Sequence, residues 1–253
     1  MESSRLKKNQ DFSVIIPARY DSSRLPGKPL IEICGVPMII RTYKQCAKAC
    51  PPERIFVATD DERIRTVCQA HDIQVLMTSK DCLTGTDRVA ECAELIDSKV
   101  FINVQGDEPL FNPEDLRTII DSLNDYPGDV LNGFCPILEE EQFRSTSTPK
   151  VVIRPDGRLL YMSRATIPGS KDNKFISGYR QVCVYAFPRK ALEDFSAQKH
   201  KTPLENIEDI EILRFLELGW EVRMIELSTS SIAVDNPGDV LRAEAAVHEG
   251  KRP

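Results

Sequence analysis

The chain has 253 residues, 41% of them apolar and 28% charged, and its 33 Lys+Arg against 39 Asp+Glu leave a net charge of −6. That length holds one α/β domain with a sizeable elaboration. The acidic balance argues against non-specific nucleic-acid binding, and no apolar run is long enough for membrane insertion. Eight cysteines without a CxxC pair, beside only three histidines, read as reduced and mostly buried thiols of a cytoplasmic protein, with no disulfide frame. Cys46 and Cys50 lie one helical turn apart, the spacing of a metal pair, but no histidine adjoins them. Residues 1–11 are polar and lack the apolar stretch of a signal peptide, so they read as a disordered leader.

Val14–Ile16, bounded by Pro17, is a short apolar run expected as a buried strand. The loop after it carries Arg19, Arg24 and Lys28 within ten residues, with Ser22, Ser23 and Gly27 between them. Met38–Ala49 has helical apolar spacing and stops at Pro51-Pro52. Further strands are expected at Ile55–Ala58, Ile73–Met77 and Val100–Val104. The helices between and after them run from a cap at Thr59 or Asp60 to about Ala70, over Thr86–Ile96, and from Asn112 to Leu123. At the last of these, Asn112 is the cap, Pro113 takes the first turn, and Glu114 and Asp115 face the positive end of the helix dipole. Strands alternating with helices argue for a parallel sheet covered on both faces.

The second half is less regular. Val130–Phe134, Val151–Ile153, Leu159–Met162, Gln181–Phe187 and Glu221–Leu227 are strand candidates, with a turn at Pro155–Gly157. Residues 166–179 are loop-like. Glu205–Glu217 predicts one helix with Ile207, Ile210, Leu213 and Leu216 on one face, and Asn236 caps the last helix. Without a repeat or linker, residues 12–253 form a single domain with an elaborated second half.

Three features carry chemistry. A basic, glycine-containing loop at the carboxyl end of a buried strand suits phosphates, through its cations and its backbone N–H groups; a solvated turn with incidental cations is the plain alternative. Asp107, after the strand at Val100–Val104, is placed for a Mg²⁺ ion on a polyphosphate, or for nothing more than the approach to a helix. Asp235 stands in the same relation to the last helix, and the pair would bring one carboxylate from each half of the chain to a phosphoryl-transfer site. Thr84–Arg88 is a glycine turn opening a helix, a small-ligand contact or simply a helix start.

Taken together, IIPARYDSSRLPGKPL, VATDDERI, MTS with GTDR, and NVQGDEPL resemble the CTP-dependent sugar-acid cytidylyltransferases, in particular the family acting on 3-deoxy-D-manno-octulosonate (Kdo). The likeness extends through Lys150, YMSRATIP at 161–168, TPLE at 202–205 and VDNPGDV at 234–240, and so spans about residues 12–245. The resemblance implies an α/β, doubly wound, mostly parallel Rossmann-like nucleotidyltransferase fold. Residues 12–130 would form the CTP-binding core and about 131–200 a smaller dimerisation and sugar-binding region, in a homodimer. It implies Mg²⁺ held by Asp107 and Asp235, with Arg19 and Lys28 completing the catalytic set. Ala18, Arg19, Ser22, Arg24, Lys28, Thr78, Ser79, Gly85, Thr86, Asp87, Arg88 and Gln105 would contact CTP. Arg164, Gln181, Tyr185, Glu208 and Glu211 would surround the sugar acid. The partners it implies are CTP and a sugar acid, with no nucleic acid and no membrane insertion.

The nucleotide half follows the family pattern, and the sugar-facing half departs from it. Gln181 stands where the family has histidine, and Ile212 where it has glutamine. Gln181 still donates and accepts hydrogen bonds but cannot become cationic, and Ile212 can do neither. Kdo is the first expectation for the acceptor, with an amino-substituted Kdo or a sialate-like acid as the alternative. Retention of both aspartates speaks against a non-catalytic CTP-binding homologue.

Overall fold

All seven residues of β1 (Phe12–Ala18) are buried, as a strand covered on both faces requires. Val14 and Ile16 enter one core and Ile15 the other. The computed structural model describes residues 11–21, 25–229 and 232–249, so Ser22, Arg24 and all but the last residue of the expected leader lie outside the described residues. A small hairpin, β2 (Glu32–Ile33) and β3 (Val36–Pro37), leads into α1 (Met38–Ala49), β4 (Ile55–Thr59), α2 (Glu62–Gln69), β5 (Gln74–Met77), α3 (Gly85–Leu95), β6 (Val100–Val104) and α4 (Pro113–Asp125). The second half runs through β7 (Val130–Pro136), α5 (Glu140–Arg144), β8 (Lys150–Ile153), β9 (Leu159–Ser163) and β10 (Tyr179–Pro188). It ends with α6 (Arg189–Ser196), α7 (Pro203–Glu208), α8 (Ile212–Glu217), β11 (Val222–Glu226) and α9 (Pro237–His248).

The main path of the sheet is β11-β7-β10-β6-β1-β4-β5, with β8 and β9 branching from β10. β1 pairs in parallel with β4 and β6, β4 with β5, and β7 with β11, while β10 runs antiparallel to both neighbours. Helices α1, α2 and α4 close one face of the sheet and α3, α6 and α8 the other. The expected doubly wound α/β class is therefore the observed one. The chain steps from β1 outward through β4 to β5 and returns to β6 on the far side of β1, which leaves a crevice between the carboxyl ends of β1 and β6.

Several local expectations are corrected. Helix α2 is capped by Asp61, whose carboxylate accepts from the Arg63 N–H, because Thr59 still belongs to β4. The hairpin β2–β3 and helices α5 and α6 had no expected counterpart. The single helix expected over Glu205–Glu217 is two, broken at Asp209, which has φ 51°. A straight helix would set Glu217 roughly 18 Å along the axis from Glu205. The break instead folds α8 back, so that the Glu217 carboxylate accepts from the N–H groups of Leu204 and Glu205 at 2.9 and 3.1 Å. Ile207, expected on the apolar face, is 77% exposed. Cys46 and Cys50 are buried core thiols, both pushed up by burial.

Candidate active site

The crevice opens into a cleft of about 690 Å³ whose walls come from both halves of the chain. On one wall, β1 delivers Ala18 and the exposed Arg19. The loop then closes on itself through the Gly27 N–H donating to the Tyr20 carbonyl at 3.0 Å, and Gly27 has φ 69°. Lys28 follows at the start of a 3-10 turn, Lys28–Leu30. Next to it, the loop after β6 presents Gln105, Gly106 and Asp107. A Cβ on Gly106 would stand 2.7 Å from the Pro17 carbonyl oxygen. Only glycine lets the loop after β6 approach the end of β1 this closely.

The carboxyl-terminal segment enters beside them. The Val234 N–H donates to the Asp107 carbonyl at 2.9 Å, and the Val234 side chain is buried with Ile33, Met38, Leu110 and Ala243. Asp235 is thereby set beside Asp107. Its own N–H donates to the Asp239 carboxylate at 2.8 Å, within the capping box that starts α9. The Lys28 ammonium donates to Asp107 Oδ2 at 2.7 Å and to Asp235 Oδ1 at 3.0 Å. Burial works against the charge on Lys28, but Asp107 and then Asp235 outweigh it, and its pKa stands above the ordinary lysine value.

The other wall is the start of α3 together with the segment between α7 and α8, which presents Asp209 and Glu211. Thr84 caps α3 and Gly85 opens it. The Glu211 carboxylate accepts from the N–H groups of Gly85 and Thr86 at 3.3 and 2.8 Å, which puts a negative group at the positive end of the helix dipole. Burial still leaves the Glu211 pKa above the usual glutamate value. Asp87 turns away from the cleft to Arg214, at 3.0 Å. Arg214 is fully buried, pairs with Glu205 through two bonds of 2.6 Å, and lies 3.6 Å over the Phe195 ring. Arg88 lines the cleft, donates to the Thr78 hydroxyl and stands 3.6 Å from Asp60. The Ser79 N–H donates to Glu91 at 2.7 Å.

Arg164 also lines the cleft. Its guanidinium donates to the backbone carbonyls of Glu208, Asp209 and Thr146 at 2.5, 2.9 and 3.0 Å. The Glu208 carboxylate accepts from the Ser163 and Tyr161 hydroxyls and the Arg164 N–H at 2.6, 3.3 and 2.9 Å. Burial would raise the Glu208 pKa, but these three donors hold it below the usual value. Gln181 donates to Asn132 Oδ1 at 3.0 Å, and Asn132 in turn donates to the Val182 and Val184 carbonyls. Tyr185 is buried against Phe187, and its hydroxyl is pushed well up by burial and by Cys183.

Of the residues expected from the sequence, Ala18, Arg19, Lys28, Gly85, Arg88, Gln105, Asp107, Asp235, Arg164 and Glu211 meet around one cleft. Thr78, Ser79, Thr86, Asp87, Gln181, Tyr185 and Glu208 are not among its lining residues, and Ser22 and Arg24 lie outside the described residues. Sequence reasoning missed Lys201, Ser147 and Cys82, which do line it. The basic run Lys199–Lys201 just ahead of a helix cap was the signal for Lys201, whose ammonium pairs with Asp209 at 2.6 Å. The Cys82 thiol donates to Glu91 at 3.2 Å, and burial, followed by that hydrogen bond, pushes it up to about 12.

A doubly wound sheet whose cleft lies where the winding reverses is suited to nucleoside phosphates, and two carboxylates converging there suit the transfer of one. That combination is the one a nucleotidyltransferase needs. A family model described as "Cytidylyltransferase" matches residues 13–225. The 3-deoxy-manno-octulosonate cytidylyltransferase of Syntrophotalea carbinolica is 39% identical over 92% of this chain and 97% of its own length. The 8-amino-3,8-dideoxy-manno-octulosonate cytidylyltransferase of Shewanella halifaxensis is 36% identical over 93% and 98%. A solved CMP:2-keto-3-deoxy-manno-octonic acid synthetase, complexed with CTP, superposes with TM-score 0.89 at 32% identity, covering 95% of this chain and 100% of that one. This chain belongs to the cytidylyltransferase family.

Proposed function

We propose that the protein transfers the cytidylyl group of CTP to the eight-carbon sugar acid Kdo, giving CMP-Kdo and pyrophosphate. The observation that carries this reading is the meeting of Lys28, Asp107 and Asp235 at the switch point of the sheet, in a chain whose curated relatives carry that activity in their names. The anomeric hydroxyl oxygen of the sugar acid forms a bond to the α-phosphorus, the bond from that phosphorus to the pyrophosphate oxygen breaks, and the hydroxyl proton is released. Both substrates are anions, so charge neutralisation is the main catalytic requirement. Arg19 and Lys28 take the triphosphate, the start of α3 with Arg88 and Gln105 faces the nucleoside, and Arg164 faces the sugar carboxylate.

Asp107 and Asp235 fit Mg²⁺. They are hard oxygen donors that already grip one cation, and among the described residues no third acidic, histidine or cysteine ligand joins them, which matches an ion that completes its shell with phosphate oxygens and water. When bound there it supplies charge to the phosphate oxygens and lowers the pKa of the attacking hydroxyl. We place the protein in the reducing cytoplasm, in keeping with eight unpaired cysteines. Among the described residues no helix is long and apolar enough to cross a membrane. We propose a homodimer whose contact uses the elements between β7 and β10, where Leu138, Leu160 and Ile176 are exposed; light scattering of the eluted protein checks it.

A second reading, an amino-substituted acceptor, is favoured by the relative from Shewanella halifaxensis, named for 8-amino-3,8-dideoxy-manno-octulosonate and 36% identical over 93% of this chain. Pyrophosphate release with CTP, Mg²⁺ and a panel of Kdo, 8-amino-Kdo and sialate decides. Turnover of Kdo at the highest kcat/KM supports the first reading, preference for 8-amino-Kdo the second, and turnover of none overturns both.

A further inference from the structure

Lys28 occupies a position that its other expected role does not explain. Its side chain is 13% exposed, and its ammonium bonds to both carboxylates at 2.7 and 3.0 Å, while those carboxylates are 31% and 37% exposed. Lys28 is not needed to bring the two aspartates together. The Val234 N–H bonded to the Asp107 carbonyl and the capping box at Asn236 already do so through the backbone. What the ammonium does is offset one of their two negative charges.

A divalent ion held by the same two carboxylates needs oxygen ligands at about 2.1 Å on all sides. Two cations cannot share that space. We infer that Lys28 is an exchangeable occupant of the divalent-cation position, holding Asp107 and Asp235 until the triphosphate of CTP offers its ammonium other acceptors and frees the pair for the metal. This rests on the reading of those aspartates as the metal-holding pair.

The exchange asks for little motion. The backbone around Lys28 is tied by the Lys28 N–H to Leu25, the Leu30 N–H to Gly27 and the Ile31 N–H to the Lys28 carbonyl. Only the four-carbon stem of the lysine has to turn, and that stem is flexible with rotatable donors. The departing ammonium goes to phosphate oxygens, and the arriving ion, with two positive charges for one, takes its place between the two carboxylates. The consequence is an order of binding, with metal entering with the nucleotide or after it.

The test is Mn²⁺ binding to the nucleotide-free full chain, followed by electron paramagnetic resonance of the free ion. Wild type should bind weakly, Lys28→Gln about tenfold more tightly or better once the competing charge is gone, and Lys28→Gln with Asp235→Asn should lose that gain. Lys28→Arg, which keeps a cation in place and guards against loosening as the cause, should stay as resistant as wild type. Equal Mn²⁺ affinity of wild type and Lys28→Gln, or an equal gain in Lys28→Arg, overturns the exchange. If in addition CTP brings no protein-held Mn²⁺ beyond what the nucleotide binds by itself, the metal-pair reading falls with it; if it does, only the exchange falls.

Discussion

The two walls of the cleft satisfy their charges in different ways. On the wall built by β1 and β6, Lys28, Asp107 and Asp235 satisfy one another, side chain to side chain, at partly exposed positions. On the wall built by the start of α3 and the segment between α7 and α8, Lys201 and Asp209 also pair side chain to side chain, but two charges are held by backbone: Arg164 by three carbonyls, and Glu211 by two N–H groups. Behind it Arg214 and Glu205 are sealed in the core. Charges that neutralise one another can be handed to a ligand without leaving a buried group unpaired. Charges bonded to backbone cannot be moved without breaking the local fold, so they set geometry instead. The first wall is built to exchange partners and the second to hold shape.

Substitutions on the two walls should therefore separate activity from stability. The largest effect is expected for Asp107→Asn, which removes one carboxylate charge from the exchanging wall. The rate of pyrophosphate release should fall by about 10³-fold or more while the urea midpoint stays near that of wild type. Wild-type turnover in this variant would break the contrast at its centre. On the second wall, Arg214→Met leaves Glu205 buried without its partner and should reduce stability by about 3 kcal/mol, measured by urea unfolding, whatever it does to turnover. An unchanged midpoint would mean that the buried network is not what holds α3 against α8.

A smaller effect, with a pH signature, is expected for Glu208→Gln. The folded-state pKa of Glu208 is depressed, so its contribution is present above the unfolded value near 4.3 and is lost as pH falls through the lower folded value. The variant should be about 1 kcal/mol less stable than wild type at pH 7, and the difference should shrink on acidification below about pH 4. A difference independent of pH would remove the carboxylate charge from the account. The smallest effect is expected for Gln181→His, about threefold in selectivity among sugar acids with the KM for CTP unchanged. Equal shifts in both would separate Gln181 from the acceptor side altogether.

Much of the first wall could be read directly. The apolar run at Val14–Ile16, the basic loop after it, the caps at Asn112 and Asn236 and the carboxylates Asp107 and Asp235 are local features, each readable within a few residues. The second wall resisted. The apolar spacing of Glu205–Glu217 obeys helix periodicity, yet Asp209 breaks it so that Glu208 and Glu217 reach different partners. Arg214, which no local pattern singled out, is wholly buried, because Glu205 and Asp87 arrive from other elements. Lys201 had only a short basic run to mark it.

The sequence by itself determined the strand–helix alternation of the first half, the helix starts at Asn112 and Asn236 and the chemical kind of each candidate group, because propensity, capping and charge are decided by neighbours along the chain. Which groups meet was decided by the tertiary structure. Asp235 reaches Lys28 across 207 positions, through an order of strands that reverses beside β1 and a single backbone hydrogen bond from Val234. Contacts between distant parts of a chain depend on how whole elements pack, and no local pattern records that.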